Sequence, residues 1–217
     1  MNIVILGAPG AGKGTQGSFL AADLGLTRVS TGDLLREILK DEGHPLYKTV
    51  EVIRSGVLLA DEVVNQIVKS FVEDHREESF LFDGYPRTLA QAKALDEILA
   101  AVNKQVDAVL NLNVDREILL YRLLGRLTCR SCKHTVHESD GYKVCPKCGG
   151  ELYTRADDNE VSVRARFAEY DEKTEPLIDY YQHSGVRYVD VAVTDRSAAA
   201  TEVQQLVKKA LEEALKQ

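Results

Sequence analysis

A glycine-rich segment near the start constrains the fold of this chain more than any other feature. It reads Gly7-Ala8-Pro9-Gly10-Ala11-Gly12-Lys13-Gly14-Thr15. Residues 3–6 before it predict a buried strand, and residues 16–24 after it predict a helix. Such a turn lets backbone N–H groups and a helix N-terminus converge on an anion, and Lys13 adds a mobile charge. The segment predicts a phosphate-binding loop for a nucleotide, although the hydroxyl comes at Thr15, one place later than usual.

Short β-like runs alternate with amphipathic helical segments along the chain. The predicted strands cover residues 3–6, 27–29, 80–82, 108–113 and 188–191. The predicted helices between them include residues 61–73, 89–102, 116–124 and 197–215. This alternation indicates an α/β fold of three layers, in which a five-stranded parallel sheet is covered on both faces. Ligands of such folds bind at the carboxyl ends of the strands.

Two stretches interrupt the alternation and predict small insertions that close over the ligand site. The first, residues 30–59, has a helical pattern, and the second, residues 126–158, contains every cysteine. The remaining residues, 1–29, 60–125 and 159–217, form the predicted core domain.

Charge and hydropathy limit the partners and the location of the protein. A net charge of −7 argues against a broad nucleic-acid footprint. The chain has no apolar run of about 18 residues and begins directly with a strand, so we expect neither a membrane span nor a signal peptide. The expectation is a cytoplasmic protein without nucleic-acid or membrane partners.

The four cysteines have the spacing of a metal site. They read Cys129-x2-Cys132-x12-Cys145-x2-Cys148, which can close a tetrahedral thiolate site. Four thiols leave no ligand position for water, so the pattern favours a structural Zn²⁺, with iron as the alternative metal. Two histidines within the loop, at positions 134 and 137, are expected to be bystanders. A zinc knuckle can also bind nucleic acid, but the acidic chain argues against that interpretation.

Two motifs follow the second and third predicted strands. Residues 30–36 read STGDLLR and predict a capped helix in which Asp33 and Arg36 share a side. Residues 80–88 read FLFDGYPRT and place the carboxylate of Asp83 at the ligand edge, where magnesium-bound water near a phosphate loop is held. Gly84 permits close approach of a ligand, and Arg87 can fork onto a phosphate.

Arginines cluster in the second half of the chain, at positions 122, 126, 155, 164 and 166. Arg122 and Arg126 are four residues apart on one helix face, where like charges repel mildly. A bound polyanion would offset this repulsion. The alternative is an ordinary solvated face, neutralised by carboxylates such as Glu117 and Asp158.

Taken together, these motifs resemble the adenylate kinases, in their long form with a zinc-bearing lid, over essentially the whole chain. The resemblance implies magnesium-dependent transfer of a phosphoryl group from ATP to AMP, giving two ADP. We expect a monomer, because the two insertions of such a kinase must move. It implies that residues 30–59 bind AMP and that residues 126–158 form the lid. Asp33 and Asp83 would hold Mg²⁺ through water.

The resemblance also assigns residues to each ligand. ATP would contact Gly10, Ala11, Gly12, Lys13, Gly14, Thr15, Arg126, Thr135 and Val136, with Arg126 on the base. AMP would contact Thr31, Arg36, Val57, Leu58, Leu59, Gly84, Tyr85, Pro86, Arg87, Gln91, Arg155 and Arg166, with Gln91 on the adenine edge. The catalytic positive charges around the transferring group would be Lys13, Arg87, Arg122, Arg155 and Arg166.

Three other interpretations remain open at this point. A kinase for another nucleoside monophosphate, such as UMP, CMP or GMP, would share the same motifs. A P-loop switch protein would hydrolyse nucleotide slowly and would need no acceptor site, whereas Arg36 and Arg87 favour a second nucleotide. A zinc-ribbon nucleic-acid binder would be retained on DNA or RNA at low salt, which the negative charge disfavours.

Overall fold

The computed structural model describes residues 1–55, 59–196 and 198–216. The strands, in chain order, are β1 (Ile3–Gly7), β2 (Thr27–Ser30), β3 (Phe80–Asp83), β4 (Ala108–Val114), β5 (Arg126–Cys129), β6 (Thr135–His137), β7 (Leu152–Tyr153) and β8 (Arg187–Val193). The α-helices are α1 (Lys13–Leu24), α2 (Thr31–Ile38), α3 (Tyr47–Glu51), α4 (Asp61–Asp74), α5 (Leu89–Ala101), α6 (Arg116–Leu124), α7 (Glu160–Glu169), α8 (Pro176–Gln182) and α9 (Ala200–Leu215). Short 3₁₀ segments (Val52–Ser55 and Glu138–Asp140) and a π-helical turn (Tyr170–Thr174) complete the described elements.

The main sheet has five parallel strands in the order β2-β3-β1-β4-β8. On the central strand β1, Ile5 lies opposite both Asp83 of β3 and Leu110 of β4. The predicted α/β class and the five-stranded parallel sheet are confirmed. Because all five strands point the same way, the loops after β1, β2 and β3 meet at one edge.

Helices cover both faces of this sheet, because side chains alternate along each buried strand. On β1, Ile3 and Ile5 belong to one hydrophobic cluster, which includes residues of α1, α6, α7 and α9. Val4 and Leu6 belong to the other cluster, with residues of α4, α5 and α8. The result is the three-layer arrangement predicted from the sequence.

The segment that follows β2 has a small hydrophobic cluster of its own. Ile38 of α2, Val50 of α3 and Ile67 of α4 are its buried members. Since α4 belongs to the predicted core domain, this segment packs its apolar side chains against the core domain. Whether residues 30–59 act as a separate domain stays a prediction.

The cysteine-bearing segment forms a second, three-stranded antiparallel sheet in the order β6-β5-β7. These strands have two to four residues each. Among the described helices, none has the length and apolar composition that crossing a bilayer requires.

Some element boundaries differ from the predictions. Helix α1 begins at Lys13 rather than at residue 16, because Gly12 adopts the left-handed conformation that ends the loop. Helix α8 is absent from the predicted elements, although Pro176 in its first turn is a recognised start signal. The predicted helix 197–215 is described from Ala200 onward, and position 197 lies outside the described residues.

Candidate active site

The phosphate loop runs from the end of β1 into the first turn of α1, as predicted. Gly10 has a φ of 87°, and a Cβ atom there would lie 2.9 Å from Cγ of Leu123, so only glycine fits against α6. The N-cap residue Gly12 has no side chain to cap the helix, which leaves amide groups of the first turn for an anion. The predicted ATP-binding residues lie in this loop and in the first turn of α1: Gly10, Ala11, Gly12, Lys13, Gly14 and Thr15.

Lys13 folds back over this loop. Its Nζ donates to the carbonyl oxygens of Gly7, at 2.6 Å, and of Ala8, at 3.1 Å. Desolvation by burial lowers the pKa of Lys13 to about 8, while the carboxylate of Asp83 acts in the opposite direction. The nearby charges of Arg87, Arg166 and Arg126 lower this pKa further. The structure therefore brings predicted residues of β3, β5, α7 and the loop before α5 within electrostatic range of the loop lysine.

Asp83 ends β3 beside this lysine and is only 8% exposed. Its Oδ2 accepts hydrogen bonds from both Nε, at 3.1 Å, and Nη2 of Arg28. Nη1 of Arg28 also lies 3.8 Å from Oδ2 of Asp33, so one guanidinium bridges both carboxylates predicted to hold magnesium-bound water. Carboxylate oxygens are the hard donors that Mg²⁺ prefers, so this donor set fits the ion.

The acceptor-side motifs meet through backbone and side-chain contacts. Oγ1 of Thr31, the first residue of α2, donates to the carbonyl oxygen of Gly84 at 3.0 Å. Nε of Arg87 donates to the same oxygen at 2.8 Å. Arg36 projects from α2 and donates through Nη2 to Oδ1 of Asp33 at 2.6 Å. The structure therefore brings the motifs after β2 and β3 together at one edge of the sheet.

Gln91 is buried in the first turn of α5 and is held at both ends of its amide. Its Oε1 accepts from the backbone N of Arg87 at 2.8 Å, and its Nε2 donates to Oδ1 of Asp61 at 2.6 Å. Oγ1 of Thr88 donates to the other carboxylate oxygen of Asp61 at 2.6 Å. A glutamine amide has four hydrogen-bonding positions, so one N–H and one lone pair remain for a purine edge.

For the other residues predicted to bind AMP, the structure gives burial and packing contacts. Tyr85 is buried, and its hydroxyl donates to Oδ1 of Asn65 at 2.7 Å, while Pro86 is buried beside it. Leu59 packs against the small cluster formed by α2, α3 and α4. The predicted contacts of Val57 and Leu58 lie outside the described residues.

Two arginines converge on one buried carboxylate in the lid region. Nε of Arg126, on β5, donates to Oδ2 of Asp158 at 2.7 Å, and its Nη2 donates to Oδ1. Nη1 of Arg166, on α7, donates to Oδ2 of Asp157 at 2.9 Å and lies 3.4 Å from Oδ1 of Asp158. Asp158, named above as a neutraliser in the alternative of a solvated face, pairs with both arginines, but it is buried rather than solvated.

The remaining residues predicted for the lid and for catalysis are Arg122, Thr135, Val136 and Arg155. Nε of Arg155 donates to Oγ1 of Thr128 at 3.0 Å, and both burial and the charge of Arg126 lower its pKa. Burial also lowers the pKa of Arg122, on α6. Thr135 and Val136 lie half-buried on β6, paired with Thr128 and Leu127 of β5. Arginine remains charged at neutral pH despite such shifts, so Arg126, Arg155 and Arg166 bring three positive charges against the carboxylates of Asp157 and Asp158.

The four cysteines form one cluster at the end of the lid sheet. Their sulfurs all lie within 4.8 Å of one another, with 3.5 Å between Cys129 and Cys148 and 3.6 Å between Cys132 and Cys145. A tetrahedral site with Zn–S bonds of about 2.3 Å separates its sulfurs by about 3.8 Å, so the cluster fits zinc. The cluster can hold a metal ion.

His137 lies outside this cluster. Its ring stacks on Tyr121 with centroids 4.1 Å apart, and Nε2 lies 3.1 Å from the carbonyl oxygen of Tyr121.

The sequence analysis missed three residues that anchor the predicted ones. Arg28 holds Asp83, Asp61 holds Gln91 and Thr128 holds Arg155. A weak signal existed for Arg28, because it stands two residues before Ser30 on the same face of a strand that ends at the ligand edge. Nothing in the sequence pairs Asp61 with Gln91, which lies 30 positions away.

Comparison with known proteins agrees with this geometry. A family model described as adenylate kinase matches residues 5–186. An adenylate kinase of Archaeoglobus fulgidus is 43% identical over 216 residues, which covers 96% of this chain and 99% of the relative. One of Caldicellulosiruptor saccharolyticus is 41% identical over 210 residues (94% and 97%), and one of Bacillus subtilis is 44% identical over 192 residues (85% and 88%). The chain belongs to the adenylate kinase family.

Proposed function

We propose that this protein catalyses the reversible transfer of the terminal phosphoryl group of ATP to AMP, giving two ADP, and so balances the adenine nucleotides. One observation carries the proposal most strongly. Asp83 lies within electrostatic range of both Lys13 of the phosphate loop and Arg87 of the motif after β3, and the charge of Arg87 acts on Lys13. Two phosphate-binding positions at one sheet edge are what a transfer between two nucleotides requires.

On the donor side, the loop amides and Lys13 bind the ATP phosphates. The side chains of Thr15 and Arg126 and the lid residues Thr135 and Val136 complete this site in the proposal, with Arg126 against the base. Arg122, Arg155 and Arg166 surround the phosphoryl group that is transferred. Their positive charges stabilise its negative charge in the transition state.

On the acceptor side, Arg36 and Arg87 bind the phosphate of AMP, and Gln91 meets the adenine. Val57, Leu58 and Leu59 are assigned to the adenine in this proposal, although the first two lie outside the described residues. Thr31, Gly84, Tyr85 and Pro86 line the phosphate end. An oxygen of the AMP phosphate attacks the terminal phosphorus of ATP, and the bond from that phosphorus to the bridging oxygen breaks. The attacking oxygen is already an anion at neutral pH, so no general base is needed.

Magnesium is the proposed cofactor on the donor side. When bound, it neutralises charge on the transferring phosphates and aligns them. Asp83 and Asp33 would hold it through water, which fits their carboxylate chemistry. Zinc in the cysteine cluster would keep the lid rigid, because a segment of about 30 residues cannot build an adequate core alone.

Domain closure completes the proposal. The core comprises residues 1–29, 60–125 and 159–217, with residues 30–59 closing over AMP and residues 126–158 closing over ATP. Closure excludes water, which would otherwise compete with AMP for the phosphoryl group. A monomer that moves two flaps in the cytoplasm, with no nucleic-acid or membrane partner, fits this cycle.

A substitution that affects only one of the two nucleotide sites tests the proposal. We expect Arg36→Ala to raise the KM for AMP roughly tenfold and to leave the KM for MgATP within about twofold, because a charged phosphate contact is lost on one side only. Lys40→Ala is a matched control, since Lys40 is exposed, lies in the turn directly after α2 and pairs with Glu37 of that helix. A rise in the KM for both nucleotides alike, or in neither, would contradict the assignment of this side to the acceptor.

A further inference from the structure

Arg28 occupies a position that the proposed mechanism leaves unused. It lies on β2, where Ser30 is paired with Asp83 and Arg28 with Leu81. Its side chain runs along the sheet toward Asp83 and is 28% exposed. Both Nε and Nη2 contact the same carboxylate oxygen, Oδ2 of Asp83. The other carboxylate oxygen, Oδ1, therefore stays available on the side away from this fork.

Helix α1 leaves room for this guanidinium. A Cβ atom at Gly14 would lie 3.4 Å from Nη2 of Arg28 and 3.7 Å from Oδ2 of Asp83. A Cβ atom at Gly17 would lie 3.7 Å from Nε of Arg28. The ion pair is thus enclosed between the sheet and the first two turns of the helix that carries the phosphate loop. Such partial burial reduces solvent screening of the charge.

The charge of Arg28 opposes a cation at the same carboxylates. Its guanidinium reaches both Asp83 and, at 3.8 Å, Asp33. Repulsion between a unit charge and a divalent ion a few ångströms apart is substantial even at an effective dielectric constant of about 20. Arg28 also holds the Asp83 carboxylate in one orientation, but the effect of this on metal binding is smaller than the repulsion, comparable to a single charged hydrogen bond. The electrostatic effect should therefore dominate.

We propose that Arg28 is a positioning residue that bridges Asp83 and Asp33 as a counter-cation, beside Arg36 on Asp33, and keeps a divalent ion from binding there until nucleotide phosphates supply further negative charge. The metal then enters and leaves with the nucleotide instead of residing in the free protein. This inference rests on the proposed nucleotide site, because it concerns the carboxylates assigned to magnesium.

Manganese binding to the nucleotide-free protein tests this proposal, since electron paramagnetic resonance measures free Mn²⁺ directly. We expect Arg28→Gln to bind Mn²⁺ roughly tenfold more tightly than the wild type without nucleotide. Arg28→Lys keeps the charge and should remain close to the wild type. The double variant Arg28→Gln with Asp83→Asn should lose the gain. Arg76→Gln is the matched charge control, because Arg76 is exposed and precedes β3 at the opposite edge of the sheet.

The outcomes separate the possible roles. Unchanged or weaker Mn²⁺ binding by Arg28→Gln, with only a lower melting temperature, would overturn the proposal in favour of a purely structural ion pair. If Arg28→Gln does not fold, Arg28→Met keeps the apolar stem and must show the same gain in Mn²⁺ affinity.

Binding of Mn²⁺·ATP by the wild type is measured in parallel. If the wild type did not bind Mn²⁺·ATP, the proposed function itself would be wrong. If it bound Mn²⁺·ATP but Arg28→Gln did not change the affinity for free Mn²⁺, only this inference would be wrong.

Discussion

Asp158 and Arg126 form a two-point ion pair in which the carboxylate has no exposed surface. Arg166 approaches the same carboxylate, 3.4 Å from Oδ1. The pair joins β5 of the lid sheet to the loop that leads into α7. Asp158 thus compensates two positive charges where the ATP phosphates are proposed to bind.

Replacing Asp158 by Asn tests this compensation. Breaking a buried pair from one side leaves uncompensated charge, so we expect the free energy of unfolding to fall by about 3 kcal/mol. A polyanion would restore part of the missing negative charge, and MgATP should raise the melting temperature of the variant more than that of the wild type. Asp157→Asn is the control, because Asp157 is 55% exposed and should have a much smaller effect. Equal stabilisation of the variant and the wild type by MgATP would contradict this account.

The pH dependence of ATP binding should report Lys13. Its pKa is lowered to about 8 in the free protein, whereas a bound polyphosphate favours the charged amine and raises that pKa. The affinity is therefore full below pH 8 and falls as the pH rises, roughly tenfold between pH 7 and pH 9. Calorimetry with a non-hydrolysable ATP analogue in two buffers measures both affinity and proton uptake. AMP binding is the control, since its proposed phosphate contacts are arginines that do not titrate.

A flat profile for the ATP analogue, without proton uptake at pH 8, would show that Lys13 is already charged before the nucleotide binds.

Loss of one zinc ligand should affect stability more than catalysis. We expect Cys145→Ser to lower the melting temperature by at least about 5 °C, because the proposed lid would lose the metal proposed to tie its strands together. Turnover, measured at a temperature where the variant remains folded, should change far less. His134→Ala should keep the metal content of the wild type, since the cluster consists of the cysteines alone among the described residues. A parallel loss of turnover and stability would indicate that the metal does more than hold the lid.

Strands such as β1 and β3 were predictable because each is a short apolar run that ends at a glycine or a charged residue. Residues 3–6 and 80–82, for example, could be recognised from local pattern alone and differ from β1 and β3 by one residue at the end. The four cysteines were equally clear, because their spacing alone specifies a thiolate site.

Contacts between distant parts of the chain were not predictable in this way. Arg28 meets Asp83 only because β2 pairs with β3 in one register, and the sequence does not state that register. The lid strands have two to four residues and pair across the cysteine loop, so no local periodicity marks them. For the same reason, the anchoring of Arg155 by Thr128 emerges only from the three-dimensional structure.

Formation of ADP tests the central claim most directly. MgATP is offered with AMP, UMP, CMP or GMP in separate reactions, with MgATP alone as the control. The account predicts rapid ADP formation with AMP, at two ADP for each AMP consumed, and at least roughly a hundredfold less with the other acceptors, because the adenine edge is read by hydrogen bonds. Preference for another monophosphate would contradict the assignment of AMP as the acceptor. Hydrolysis of ATP at the same rate with and without an acceptor would contradict the kinase itself.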